Sequence, residues 1–179
     1  MKHNPLLGAA VGAAGGLLGA GMMVLFQHVV GGTQDQDDDR PHRRAEATPN
    51  NTDGTFPDEP ATIQAAEAVS RDLFGHEPSD REKQLGGSAL HYAFGAAMGA
   101  LYGLAAEVQP RTTAAAGLPF GTAVWLAADE VGVPLAGFAG KPTDYPVSRH
   151  AAALASHLVF GLTVEGVRRA LLGRAYSRE

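Results

Sequence analysis

The chain contains no cysteine, a single tryptophan and no excess of positive charge: its 179 residues carry a net charge of −5. Without cysteine there can be no disulfide, no thiolate zinc site and no cysteine nucleophile. With acids in excess, the clustered Lys and Arg that neutralise phosphates are missing, which argues against a nucleic-acid partner. Catalytic signatures are missing as well. No HExxH pairing occurs, and Ser88 and Ser156 lie near His91 and His157 without an oxyanion or nucleophile-elbow motif. Gly19-Ala20-Gly21 has neither a preceding strand nor the third glycine of a phosphate loop. We therefore expect no enzyme activity, no cofactor and no resident metal.

The mean hydropathy of −0.08 fits a soluble protein, but the average hides the distribution. Residues 31–84 hold 13 of the 19 acids and 6 of the 14 basic residues, a charge of −7, while the other 125 residues carry +2. Flanking that segment are Gly-, Ala- and Leu-rich stretches near the length of about 20 residues that a spanning helix needs. Residues 6–30 contain no Asp, Glu, Lys or Arg, and are longer than a signal-peptide core, with no small-residue cleavage site after them. Residues 85–108 hold His91 and, at the edge, Glu107; residues 151–173 hold His157 and Glu165, with Arg168 and Arg169 near the end. Residues 113–137 are interrupted by Pro119, Asp129, Glu130 and Pro134, so this stretch is kinked or shorter than the bilayer.

The expected fold is an all-α membrane protein: four transmembrane helices in a small bundle, with a long acidic loop after the first. Residues 1–30 form the N-terminal helix, 31–84 the loop, and 85–179 a three-helix membrane region with a basic tail. Within the loop, residues 31–60 are expected to be disordered, because nothing there can form a core. Residues 61–74 place Ile63, Ala66, Val69 and Leu73 at helical spacing, which predicts a short amphipathic helix ended by Gly75.

Glycine supplies the packing signal. Gly8, Gly12 and Gly16 share one face of the first helix, and Gly87, His91, Gly95, Gly99 and Gly103 form a four-residue stripe on the second. Gly161 falls in a similar stripe with His157, Glu165 and Arg169. Such glycine-zipper faces let helices approach closely in lipid, and a homo-oligomer through them is one expected partnership, beside the bilayer itself.

The second and fourth stretches run in the same direction, because one crossing separates them. His91 and His157 are each the seventh residue of their stretch, about 9 Å in from the same face at 1.5 Å per residue. Asp129 and Glu130 come about seven residues before the end of the third stretch, at that face too. These four residues form a candidate intramembrane polar layer, and ionisable groups at such depth face a partner or a water-filled cavity. The bland alternative is hydrogen-bonded helix glue. Glu165 is expected to pair with Arg168 or Arg169, one turn away.

Arg168, Arg169, Arg174 and Arg178 at the end of the last helix place the C-terminus in the cytoplasm, and four crossings put the N-terminus there as well. The polar layer then lies near the outer face, where it would feel external pH.

Several short motifs share one source. They are Leu73-Phe-Gly-His, His91-Tyr-Ala-Phe-Gly with Leu101-Tyr-Gly, Gly117-Leu-Pro-Phe-Gly with Trp125 and Asp129-Glu130, Val133-Pro134, Pro142 to Pro146, and His157-Leu-Val-Phe-Gly with Glu165 and Arg168-Arg169. On these residues the segment 61–172 resembles a bacterial family of small inner-membrane proteins of unknown function related to the acid-resistance protein YagU. The resemblance implies a multispanning inner-membrane protein with a link to acid stress, and no substrate. The functional expectation is a non-enzymatic bundle whose His/carboxylate layer contributes to acid or envelope stress tolerance. Two alternatives stand beside it: a small transporter or channel component for protons, cations or a small solute, and a membrane scaffold that oligomerises through its glycine-rich helices.

Overall fold

A computed structural model describes residues 4–36 and 60–176, with side chains for 4–30 and 60–172. The segment 37–59, which includes most of the stretch expected to be disordered, lies outside the described residues, while 31–36 continue the first helix. Among the described residues the regular elements are all helical, with no strand. Helix α1 spans Pro5–Gln36, α2 Ala61–Phe74, α3 Asp80–Val108, α4 Leu118–Trp125, α5 Val133–Leu135 and α6 Val147–Tyr176. Short 3₁₀ turns cover Pro110–Gly117 and Pro142–Asp144, and a π-helical segment, Leu126–Gly132, joins α4 to α5.

Three helices are long and apolar enough to cross a membrane: Pro5–Val30, Asp80–Val108 and Val147–Leu172, of 26, 29 and 26 residues. At 1.5 Å per residue they reach about 39 to 44 Å, beyond the roughly 30 Å hydrocarbon core. The third apolar stretch forms no helix of that kind. Residues 118–135 make a composite rod, α helix then π helix then a last α turn. Pro134 explains the break: it has no N–H to give the carbonyl four residues back, and its ring crowds that carbonyl. The chain responds by widening, so that Val133 N–H reaches Ala128 O, five residues back.

The α2–α3 hairpin is defined by its ends. Gly75 closes α2 in the left-handed region at φ 60°, its N–H bonded to Arg71 O and that of His76 to Ser70 O. Ser79 and Glu82 form a reciprocal capping box that starts α3. Lys83 Nζ lies 3.1 Å from Glu67 Oε1, fastening α2 along the first turns of α3. Gln64 Nε2 donates to Phe138 O at 3.2 Å, so the hairpin and the connection before α6 share one end of the bundle.

Glycine sets the helix pairing. Gly8 lies against Gly103, Gly12 against Gly99 and Gly16 against Gly95, a register that makes α1 and α3 antiparallel with their backbones in contact. A second face of α1 meets α6, Gly15 against Val164 and Gly19 against Phe160, again antiparallel. The composite rod packs mainly on α6, with Gly117 against Gly161 and Gly121 against the His157 carbonyl. Four rods thus alternate in direction, and α3 and α6 run parallel. Between them lies a core of Met23, Tyr102, Val124, Phe160 and Val164, with Met98 and Phe120 packed against it. The outside is apolar: Leu18, Leu25, Val29, Leu101, Leu126 and Leu135 are all exposed. That inversion is unfavourable in water and ordinary in lipid.

Candidate functional site

At the end of the bundle that carries the α2–α3 hairpin, the π segment turns two adjacent carboxylates toward one helix. Asp129 Oδ2 lies 3.7 Å from His157 Nδ1, and Glu130 Oε1 lies 2.6 Å from His150 Nδ1. His150 and His157 are seven residues apart, two turns along the same face of α6. The two contacts differ in kind. His157 Nδ1 is 2.9 Å from its own-helix carbonyl Ala153 O, so it donates there, and Asp129 acts on the ring only through charge. His150 and Glu130 are within direct hydrogen-bonding distance.

His150 is the more informative residue. Its other ring nitrogen, Nε2, lies 3.0 Å from Pro142 O. A carbonyl accepts only, so Nε2 must carry a proton. Nδ1 then needs a second proton to meet a carboxylate, held either on the ring or on Glu130. In both cases one proton lies between Glu130 Oε1 and His150 Nδ1. Removing it sets a carboxylate against a lone pair. His91 approaches from α3, its Nε2 3.3 Å from Ala20 O on α1. His91, Glu130 and Arg149 act electrostatically on Asp129, so the four residues of the expected layer, together with His150, occupy one region. Trp125, one turn before Asp129, has a buried indole N–H with no acceptor.

A second polar layer occupies the opposite end. Glu165 is 1% exposed and accepts from Arg168 Nε at 2.6 Å, Arg168 Nη2 at 3.1 Å, Arg169 Nε at 2.6 Å and Tyr102 Oη at 3.0 Å. Burying a carboxylate is costly unless it is paired and hydrogen-bonded, and here every partner comes from α3 or α6. Arg169 Nη2 continues to Thr113 O at 3.4 Å in the turn before α4. Nearby, buried Glu107 accepts from the Asn4 backbone N–H at 3.2 Å, tying the start of α1 to the end of α3. The apolar core, with Tyr102 against Phe120 at 4.5 Å and Phe120 against Phe160 at 6.0 Å between ring centroids, separates the two layers.

The packing glycines Gly8, Gly12, Gly16, Gly95, Gly99 and Gly103 meet one another within the chain, and Gly161 meets Gly117. Ser156 Oγ donates to Ala152 O and makes no contact of that kind with a histidine. Among the described residues, no group of three His, Asp or Glu is placed to hold a metal ion. Sequence reasoning missed His150 because the apolar stretch was begun at residue 151; its seven-residue spacing from His157 is the signal that finds it. Tyr102 was missed as a partner of Glu165 because nothing local links them.

A family model described as a protein of unknown function, DUF1440, matches residues 66–166, more than half of the chain, and the chain belongs to that family. No curated protein and no solved structure matches it.

Proposed function

Starting from a family with no assigned activity, we propose that this chain is a four-pass protein of the bacterial inner membrane, without catalytic turnover, in which a proton shared by Glu130 and His150 ties the composite rod to α6. The observation that carries this reading is the position of His150 between two acceptors, Glu130 Oε1 and Pro142 O. Four crossings are supported by the alternating directions of the rods and by the Gln64–Phe138 bond, which requires the segments before α3 and after the rod to share a side. In this reading both termini are cytoplasmic and the His/carboxylate layer lies near the outer face, an orientation that the basic end of α6 favours.

Histidine is the side chain that ordinarily changes charge between about pH 5 and 8. Acidification supplies the proton for the Glu130–His150 contact and so tightens the rod on α6. This is a device suited to acid or envelope stress, in line with the resemblance to YagU-related proteins. The test is acid survival of a strain lacking the gene and complemented with His150→Gln/His157→Gln. Survival at the level of the empty vector, with the variant inserted at normal abundance, is the expected result; wild-type survival would refute the reading.

A transport role for protons, cations or a small solute is the second reading, favoured by polar layers at both ends of the bundle. Phe120 and Phe160 pack together between those layers as an apolar plug. Transport therefore requires that plug to part, and flux into proteoliposomes no greater than into empty vesicles would exclude it. A scaffold role would need an oligomer surface other than the α1 glycine face, which α3 of the same chain covers.

A further inference from the structure

We propose that the composite rod, residues 118–135, is a gate that pivots at Gly117 and is latched at its far end by Glu130–His150. This rests on the proton-held contact described above and adds the element that it controls. The two ends of the rod are built differently. At the first, Ala115, Ala116 and Gly117 are consecutive left-handed residues, at φ 49°, 55° and 85°. Two alanines in that region are strained, since Cβ crowds the backbone there. Strain of this kind persists only where the surroundings impose it. Here Arg169 bonds Thr113 O and Gly117 sits with its backbone on Gly161, so this end is pinned.

The other end is tied more loosely, by Gln64 Nε2 of α2 to Phe138 O three residues past the rod. Gly137 is left-handed at φ 79°, with nothing within 4 Å of where a Cβ would stand. Leu126, Val131 and Leu135 on the rod are exposed, and its packing is mainly against α6. The hydrogen bond between Glu130 and His150 joins this half of the rod directly to α6, and Asp129 Oδ2 lies 3.7 Å from His157 Nδ1 beside it. The latch residue Glu130 lies within the π segment Leu126–Gly132 itself, and π bulges are frequent at functional sites. Beside the latch, the Tyr145 ring meets His150 edge-on at 6.5 Å between centroids with Arg149 over that ring, and Pro142 O takes the other His150 nitrogen; the neighbouring Asp129 of the rod is faced by His157 and Arg149 of α6 and His91 of α3. Losing the latch proton frees the far end to swing out, uncovering His157, which is 9% exposed beside the already part-exposed Asp129; regaining it closes the gate.

The chain has no cysteine, so spin labels can be placed cleanly. One pair joins the rod to α6, Leu135→Cys with Leu162→Cys; a reference pair joins α1 to α6, Leu18→Cys with Leu162→Cys. All three sites are exposed. Double electron–electron resonance in lipid nanodiscs at pH 8.0 and pH 5.5 should show the rod pair broad or long at pH 8.0 and narrow at pH 5.5, with the reference pair unchanged. Adding His150→Gln should leave the rod pair insensitive to pH, and Ala116→Gly, which relaxes the pivot, should broaden it further at pH 8.0. A rod pair identical at both pH values overturns the gate, as does a reference pair that moves equally. Nitrogen-15 spectra of the histidine rings separate the two claims. If His150 titrates while the rod stays still, the gate fails and the proton-held contact stands. If His150 does not titrate, both fail.

Discussion

Adding one methyl group to Gly12 tests the helix pairing on which everything else rests. A Cβ there would lie 2.9 Å from the Gly99 carbonyl carbon, 3.0 Å from Gly103 Cα and closer still to the Gly99 oxygen. Ordinary contact begins near 3.5 Å, so α1 and α3 must part by roughly an ångström along a line of three glycine pairs. A gap of that size forfeits about a quarter to a half of the ~0.1–0.2 kcal/mol of every atom pair along the contact. Residual strain brings the total into the ~1–3 kcal/mol range of overpacked sites, with rather less than 1 kcal/mol of helix propensity acting the other way. Gly166 is the internal control: nothing lies within 4 Å of its Cβ position, and Gly166→Ala should be neutral or stabilising by up to about 1 kcal/mol. Unfolding by SDS titration in mixed micelles reads both variants. Gly12→Ala should fall below the parent and Gly166→Ala should not. Equal stability of the two variants would refute the close α1–α3 approach, and with it the register that brings His91 to the polar layer.

The opposite polar layer yields two further predictions. Glu165→Gln leaves Arg168, 16% exposed, without its carboxylate, while Arg169 is 58% exposed, so the cost should stay below the about 3–5 kcal/mol of a fully buried pair, whereas Tyr102→Phe removes one bond to a charged group and should cost about 1.5–3 kcal/mol. In a double-mutant cycle the two should be non-additive, and strict additivity would place Tyr102 Oη elsewhere. At the pivot, Ala116→Gly should raise the unfolding midpoint, since glycine adopts positive φ without the ~1–2 kcal/mol that an L side chain pays there; a lower midpoint would contradict the left-handed turn.

Much of the architecture is legible in the residues because membrane helices advertise themselves. Residues 6–30 have no charge to place in lipid, and their length allows little except a span. Glycines at four-residue spacing reveal a face, but not what meets it: Gly12 opposite Gly99 follows only once the antiparallel register is known. The third stretch is where sequence reasoning thins. Pro119, Pro134 and two acids announce an interruption, yet the form that it takes, a π segment aiming Asp129 and Glu130 at the same helix, depends on how the chain relieves Pro134 against Glu130. His150 was obscured for a related reason. At the edge of an apolar run it reads as a loop residue, and its role follows from Glu130 and the Pro142 carbonyl, which only the folded chain brings together.

The central claim is that the rod crosses the membrane and carries its His/carboxylate layer to the outer face. Arg111 and Lys141 are exposed and lie on either side of the rod. Single cysteines at these two positions, treated in intact cells with a membrane-impermeant maleimide, test that claim most directly. Lys141→Cys should be labelled from outside, and Arg111→Cys only after the membrane is permeabilised. Labelling of both in intact cells, or of Arg111→Cys alone, would contradict it.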